Sequence, residues 1–219
     1  MKVSIFHLLF LAGLSVISAQ EDLSGRAFLF LNDSSENCVI VRPLPEKPLE
    51  KLTICLRFYT DLTRTYSLFS YETDPDNSEI LIVKTESGDY AFFLGGDYVI
   101  FKVPNDPTNW EHVCFAWEST TGTVEFWMNG KPWPRKGMKK GYTVPAAAFI
   151  LLGKEQDRYW GSSGTFSGEL ADVYVWDFLL SPYPMRSTYH DFKLPPCILC
   201  WKDLQYEVKG DVIVKARLK

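Results

Sequence analysis

The sequence has little excess charge of either sign. Its 219 residues include 23 Lys and Arg against 27 Asp and Glu, and no Lys/Arg block concentrates the basic residues. Because a nucleic-acid binder needs a concentrated basic face to neutralise phosphates, we exclude that class. Internal repeats, low-complexity tracts and long linkers are also missing, while 46% of the residues are apolar and 15% aromatic. The sequence therefore predicts one well-packed domain.

Long hydrophobic runs are missing after the first 19 residues. Residues 3–17 form a largely apolar run that follows Lys2 and ends at the small residues Ser18 and Ala19. This layout is typical of a cleaved signal peptide, and about 15 apolar residues are too few for a membrane anchor. We predict a signal peptide over residues 1–19, a mature domain over residues 20–219 with no transmembrane segment, and an extracellular location.

Histidine is scarce, which bears on catalysis. After the predicted signal peptide only His112 and His190 occur, and nothing places either beside a serine or cysteine nucleophile with an orienting acid. We predict that the protein is not an enzyme.

Five cysteines occur, at positions 38, 55, 114, 197 and 200. In an oxidising compartment they are first disulfide formers, and the odd number leaves at least one thiol free or available to another chain. Cys114 and His112 share a strand face, so two zinc ligands are the alternative to a disulfide at Cys114. Cys197 and Cys200 form a C-x-x-C motif without the βαβ pattern of a redox domain.

Short β-branched and aromatic runs separated by Gly, Pro, Asn and Asp predict an all-β sandwich. The predicted strands are 26–31, 38–41, 52–59, 66–71, 79–84, 90–94, 98–103, 112–117, 123–128, 149–152 and 169–176. Asn129 and Gly130 predict a hairpin turn, and Val124, Phe126 and Met128 should face the core. One short helix is predicted, with Ser181 as cap, Pro182 at its first position and residues 185–192 as its turns.

Two acidic loops, residues 74–79 and 155–157, offer the hard oxygen donors that suit Ca²⁺. Each loop alone is typical of a solvated turn, so a calcium site requires a fold that brings the loops together. Separately, Asn32, Asp33 and Ser34 form an N-glycosylation acceptor between two predicted strands.

Residues 112–119 and 122–132 read HVCFAWES and GTVEFWMNGKP, and this stretch resembles the signature of the short pentraxins. Further matches follow in family order at residues 53–60, 69–71, 139–144, 155–157, 175–178 and 206–210. The resemblance covers essentially the whole mature chain. It implies a jelly-roll, lectin-like two-sheet sandwich with one short helix, a Cys55–Cys114 disulfide and a homopentamer. It also implies calcium-dependent recognition in innate immunity, with acute-phase expression and complement components as partners.

The resemblance also implies a calcium site. Its side-chain ligands would be Asp76, Asn77, Glu155 and Asp157, with the main-chain carbonyl of Gln156 as a further ligand. If the spacing to Glu79 were the same as in the family, the ligands would be Asn77 and Ser78. We prefer Asp76 and Asn77, because a loop accommodates one extra residue more easily than a calcium site tolerates the loss of a carboxylate. Residues 158–165 are shorter than in the family and lack the Glu and Gln of its second calcium site, so the resemblance does not extend to that site.

The family's phosphocholine pocket maps to Val83, Phe93 and Tyr98. Tyr98 stands where the family has an acid, so the pocket suits a choline cation held by an aromatic face, or a sugar. We therefore predict phosphorylated, phosphocholine-like or carbohydrate ligands. Because the terminal strands of this fold lie near one another, we predict that Cys38 pairs with Cys197 or Cys200. The alternative function is a calcium-independent, matrix-type oligomer with disulfide-linked subunits.

Overall fold

A computed structural model describes residues 22–42, 45–74, 77–104, 109–146, 149–155, 164–190 and 193–218 of the chain. The predicted signal peptide lies outside the described residues. The described strands are, in chain order, β1 (Arg26–Phe30), β2 (Cys38–Arg42), β3 (Lys51–Tyr59), β4 (Tyr66–Asp74), β5 (Asn77–Lys84), β6 (Tyr90–Leu94), β7 (Asp97–Phe101), β8 (Glu111–Glu118), β9 (Thr123–Met128), β10 (Lys131–Pro132), β11 (Lys136–Gly137), β12 (Phe149–Leu152), β13 (Gly168–Trp176), β14 (Gln205–Lys209) and β15 (Val212–Ala216). Every strand that we predicted is present, with ends that differ by at most three residues.

The strands form two antiparallel sheets, as predicted for a sandwich. The first sheet has the order β10-β9-β8-β3-β13-β1-β15, with β11 also paired to β9, and the second has the order β14-β2-β12-β4-β5-β6-β7. Among the described strands, β1 pairs with β13 and β15, which come late in the chain. The sequence analysis missed β14 and β15, which are five-residue edge strands with mostly exposed side chains, although Tyr206 and Val208 of β14 alternate with polar residues.

The main core lies between the two sheets and is rich in aromatic rings. Phe92 of β6 stacks on Phe115 of β8 across the sandwich, with ring centroids 5.1 Å apart. The predicted core residues Val124 and Phe126 are fully buried and Met128 is 9% exposed, which confirms the inward face of β9. Alternate residues of a strand point to opposite faces, so each strand also presents side chains on the outer surfaces of the sandwich.

The turn after β9 explains the tight hairpin that joins β9 to β10 in the first sheet. Asn129 and Gly130 both have positive φ values, 49° and 73°, and Lys131 pairs with Met128. Asn and Gly tolerate this left-handed conformation, which matches the twist of a two-residue hairpin. The predicted turn is confirmed.

The helix α1 (Pro182–Tyr189) lies on the outer face of the first sheet. Ser181 occupies the N-cap position and Pro182 opens the helix, as predicted, but the Ser181 side chain makes no capping hydrogen bond. The helix ends at Tyr189, earlier than the predicted residue 192, which lies outside the described residues. Under it lies a second apolar cluster, which comprises Cys55, Cys114, Ala116, Trp127, Trp176, Leu180 and Met185.

The part of the chain that the structure describes holds no helix with the length and apolar character needed to cross a bilayer.

Candidate functional site

An apolar cluster lies on the outer face of the second sheet, separate from the main core. We call it the outer patch, and it comprises Leu81, Val83, Ala91 and Phe93. Val83 pairs with Ala91 across β5 and β6, and Phe93 pairs with Tyr98 across β6 and β7. The three predicted pocket residues therefore share one face of the sheet.

Those three residues differ in what they offer to a ligand. Val83 is fully buried and Phe93 is 7% exposed, whereas Tyr98 is 58% exposed. The rings of Phe93 and Tyr98 lie 5.1 Å apart between centroids, tilted by 35°. Tyr98 thus supplies the accessible aromatic surface, Phe93 supports its ring, and Val83 forms part of the floor beneath.

A buried carboxylate, Glu72, lies on the same outer face beside the outer patch. Ser70, whose position pairs with Leu81, donates a hydrogen bond to Glu72 Oε1, and Ser78 Oγ donates another at 2.8 Å. The Glu72 side chain is fully buried at the base of the β4–β5 hairpin. Three register shifts interrupt the pairing of β4 with β5, and bulges of this kind bend a hairpin. Sequence analysis missed Glu72, because the predicted strand ended at Tyr71 whereas β4 continues to Asp74.

Of the predicted calcium ligands, only Glu155 has a described side chain. Asp76, Gln156 and Asp157 lie outside the described residues, and Asn77 is described only through its backbone, where it opens β5 opposite Asp74. Glu155 follows β12 after Gly153, whose N–H donates to Leu68 O at 3.2 Å. The structure therefore describes the side chain of one predicted ligand, Glu155. That the two acidic loops lie close together stays a prediction.

Glu155 is held in a narrow space. Glu155 is only 3% exposed, and a Cβ atom added to Gly164 would lie 2.9 Å from Glu155 Oε1. Gly164 in turn accepts a hydrogen bond from the Ser67 N–H at 2.8 Å. Burying an ionised carboxylate is costly unless opposite charge or hydrogen bonds compensate. A buried carboxylate is also a hard oxygen donor, so Glu155 fits the chemistry of a Ca²⁺ site.

The two disulfides of the chain lie on the first sheet. Cys55 of β3 and Cys114 of β8 are direct register partners with Cα atoms 4.1 Å apart, and they form the disulfide that the resemblance implied. The second disulfide joins Cys197 to Cys200. Cys38 is free and buried.

The prediction that Cys38 pairs with Cys197 or Cys200 is therefore wrong. Cys38 opens β2 of the second sheet, opposite Lys209 of β14. Cys197 packs against the cluster under α1, and the backbone between the two paired cysteines bonds to β13 of the first sheet. The cysteines thus belong to opposite sides of the sandwich. Because burial also raises the pKa of the Cys38 thiol, this cysteine is a poor nucleophile.

The zinc alternative at His112 and Cys114 is not supported. One potential ligand atom each from Cys55, His112 and Cys114 lies within 4.8 Å of the others, but both sulfurs are used by the disulfide. Burial lowers the pKa of His112 to about 3, and the positive charges of Arg57 and Arg217 contribute. His112 is therefore a neutral core residue at neutral pH.

Sequence analysis missed an ionic cluster around Asp172. This residue has a φ of 53° and lies where the pairing of β13 with β3 shifts register. Arg57 Nε donates to Asp172 Oδ2 at 2.9 Å, and Arg217 donates to the same oxygen. Arg57 also donates to Tyr189 O at 2.8 Å, which ties α1 to the sheet. The cluster borders a cavity of about 860 Å³ that Cys197 and Cys200 also line.

The predicted glycosylation acceptor Asn32 is exposed after β1. Its Nδ2 atom donates to Asp211 Oδ2 at 3.0 Å, and its Oδ1 atom accepts from Ser34 N–H at 3.1 Å. Attachment of a glycan stays a prediction.

The chain resembles known proteins in both sequence and fold. A sequence model of the Pentaxin family matches residues 26–216. Serum amyloid P-component of Rattus norvegicus is 40% identical over 220 residues, which are 99% of this chain and 96% of the relative. C-reactive protein of Homo sapiens is 43% identical over 215 residues, or 96% of each chain. A native heptameric SAP-like pentraxin from Limulus polyphemus has a similar fold, with a TM-score of 0.77 at 20% identity over 89% of this chain and 96% of that chain.

Proposed function

The chain belongs to the Pentaxin family, and from this premise we propose that it is a secreted, calcium-dependent recognition protein of innate immunity. Its relatives, serum amyloid P-component and C-reactive protein, are recognition proteins rather than enzymes, and the same holds for this chain. The proposed ligands are phosphorylated, phosphocholine-like or carbohydrate groups. The observation that carries the proposal is the buried carboxylate of Glu155 at the position that the resemblance assigned to calcium.

The proposed metal ligands are the side chains of Asp76, Asn77, Glu155 and Asp157, with the carbonyl oxygen of Gln156. When bound, Ca²⁺ supplies positive charge and open coordination positions for ligand oxygens. Glu155 contributes a carboxylate whose rotation is restricted by its contact with Gly164. Because the carboxylate is already ordered and desolvated, little side-chain entropy is lost when it binds a cation.

The outer patch gives the ligand a second type of contact. Tyr98 exposes an aromatic face supported by Phe93. An aromatic face attracts a quaternary ammonium ion and also packs against the apolar face of a sugar. A tyrosine carries no anionic charge at neutral pH, so this surface does not single out choline over carbohydrate.

We further propose that the protein acts as a homo-oligomeric ring, with five subunits as the expected number. Several identical sites on one rigid ring raise avidity over single-site affinity by about 10²–10⁴ when the ligands are repeated on a surface. Heptameric assembly is stated for the pentraxin of Limulus polyphemus, which supports a ring-shaped homo-oligomer. Complement components are proposed as effector partners, and acute-phase expression as the mode of regulation.

The alternative of a matrix-type oligomer with disulfide-linked subunits loses support. All five cysteines lie among the described residues, and four of them form the two intrachain disulfides. The remaining Cys38 is only 9% exposed, so it is badly placed to bond to another subunit.

Titration of calcium into the purified oligomer tests the metal site. We expect about one Ca²⁺ per subunit, and we expect Glu155→Gln and Asp157→Asn each to weaken binding at least tenfold, on the order expected when a site loses a charged ligand. Glutamine keeps the shape of Glu155 beside Gly164, so a loss of binding reports the charge. The measurement is isothermal titration calorimetry.

The matched control for this titration is Glu46→Gln, since Glu46 is an exposed acid. Calcium binding by this variant should equal that of the natural protein. If the natural protein binds no calcium, the calcium-dependent function is wrong and a calcium-independent oligomer takes its place. If Glu155→Gln and Asp157→Asn bind calcium unchanged, the proposed ligand set is wrong.

The role of Tyr98 is tested on immobilised phosphocholine and on agarose, which separate the two proposed ligand classes. We expect calcium-dependent retention on at least one matrix, release by a chelator, and an affinity about threefold lower for Tyr98→Ala, the usual size of an exposed cation–π contact. Tyr98→Phe should bind normally because it keeps the ring. Tyr183→Ala is the control, since Tyr183 is 78% exposed on α1 of the other sheet. Equal losses in Tyr98→Ala and Tyr183→Ala would contradict a specific role for Tyr98.

A further inference from the structure

The second disulfide, Cys197–Cys200, differs from the first in its surroundings. Cys55 and Cys114 are both fully buried under α1. Cys197 and Cys200 are partly exposed, and both line the cavity of about 860 Å³ beside α1. A dissolved molecule can therefore approach the second disulfide without unfolding the domain, whereas the first is closed to it.

The cavity walls carry more positive than negative charge. Among the described lining residues, Lys193, Lys202 and Arg217 face Asp172 and Asp203. Each acid is paired with a cation: Asp172 accepts hydrogen bonds from Arg57 and Arg217, and the carboxylate of Asp203 lies 3.7 Å from Lys202 Nζ. Lys193 therefore adds positive charge to a lining whose acids are already compensated. Cationic walls attract anionic solutes and raise their local concentration.

The backbone around this disulfide is held by other bonds. Val175 of β13 and Leu199 exchange two backbone hydrogen bonds, with N···O distances of 2.9 and 3.2 Å. Leu199 and Trp201 are each 1% exposed, and Trp201 Nε1 donates to Leu23 O at 2.9 Å. Since these contacts fix the segment on either side of Cys200, opening the disulfide leaves the fold in place. The short loop that it closes also constrains the unfolded chain far less than a long loop does.

We propose that Cys197–Cys200 is a thiol-exchange site, and that its preferred co-reactant is a small thiol that carries carboxylate groups. The thiolate of the co-reactant attacks one Sγ atom, so that a mixed disulfide forms and the Cys197–Cys200 bond breaks. The electron pair of the broken bond stays on the displaced sulfur as a thiolate. The step is a disulfide interchange, so the total number of disulfides is conserved. Attack by the displaced thiolate on the mixed disulfide releases the small thiol and restores the original bond.

The native, calcium-loaded oligomer is the material for the test, with glutathione as the acidic thiol and 2-mercaptoethanol as a neutral one. After timed exposure the reaction is stopped with an alkylating reagent, and each cysteine peptide is identified by mass spectrometry. We expect glutathione adducts and alkylation at Cys197 and Cys200, at least about a hundredfold faster than any reaction of Cys55 or Cys114, because the buried pair reacts only through an opening fluctuation. The circular dichroism spectrum should not change during the reaction.

The contribution of the cationic cavity lining to the reaction rate with an acidic thiol is tested with Lys193→Gln/Lys202→Gln. At equal thiolate concentration this variant should react with glutathione about three- to tenfold more slowly and with 2-mercaptoethanol at an unchanged rate. Equal slowing with both thiols would overturn the preference for an acidic thiol. Cys197→Ala/Cys200→Ala should give no adduct, and if that variant fails to fold, the natural protein still decides the matter. The site itself is refuted if the two disulfides open together, or if the 197–200 pair resists both thiols until denaturant is added.

Discussion

Acidification from pH 7 to pH 5 is expected to cost about 2 kcal/mol of folding free energy through His112 alone. The pKa of this side chain is about 3 in the folded protein, against its ordinary value of 6.5. The cause is burial first, followed by the charges of Arg57, Arg217 and His190. As the pH falls below 6.5, His112 becomes protonated in the unfolded chain but stays neutral in the folded protein. Folding stability is therefore lost between pH 6.5 and about 3. Over that whole window the loss approaches about 5 kcal/mol.

Urea unfolding at pH 7, 6 and 5, at fixed protein and calcium concentration, measures this loss. His112→Gln should remove most of the difference between pH 7 and pH 5, whatever its own effect on stability at pH 7. The matched control is His190→Gln, because His190 is exposed. A pH dependence that is identical in the natural protein and in His112→Gln would show that His112 accepts a proton in the folded state.

The two disulfides are expected to contribute very differently to stability. Removing Cys55–Cys114 as Cys55→Ala/Cys114→Ala should cost about 4 kcal/mol, because the bond closes a loop with a sequence separation of 59. Removing Cys197–Cys200 as Cys197→Ala/Cys200→Ala should cost about 2 kcal/mol at most, since its separation is 3. Alanine is the suitable replacement because serine would bury a hydroxyl beside Met185 and Trp176, in the cluster under α1.

Equilibrium unfolding in urea, followed by tryptophan fluorescence, gives both free energies. The calcium concentration must be the same for all variants because a bound ligand adds to apparent stability. Cys38→Ala serves as the control for loss of a cysteine without loss of a bond. Equal costs for the two double variants would mean that native contacts, rather than loop closure in the unfolded chain, determine what each disulfide contributes.

The fold was largely predictable from the sequence because most strands alternate between a core face and an outer face. The strand β9 illustrates this, since its apolar positions and its Asn129–Gly130 turn both match the structure. The prediction failed for β10 and β11, which have two residues each and no detectable period. It also failed for β14 and β15, which are short strands at the edges of the two sheets with mostly exposed side chains.

The sites were less predictable because they depend on contacts between distant segments. The family resemblance led to Glu155 and to the shared face of Val83, Phe93 and Tyr98, which no local pattern reveals. Pairing of the other cysteines required knowing that Cys38 belongs to the second sheet, and adjacency in the fold alone suggested the wrong partner. The ionic cluster at Asp172 depends on a register shift in β13, which sequence periodicity does not locate.

The position of β1 has a consequence for synthesis of the chain. Both strands that flank β1, β13 and β15, lie far downstream of it in the chain. At a translation rate of about 5–20 residues per second, the strands that cover Phe28 and Phe30 are synthesised on the order of ten seconds after these residues. An apolar strand without its neighbours is prone to aggregate, so a chaperone that binds the nascent amino-terminal segment is expected to raise the yield of this protein. The first sheet is therefore complete only after β15 has been synthesised.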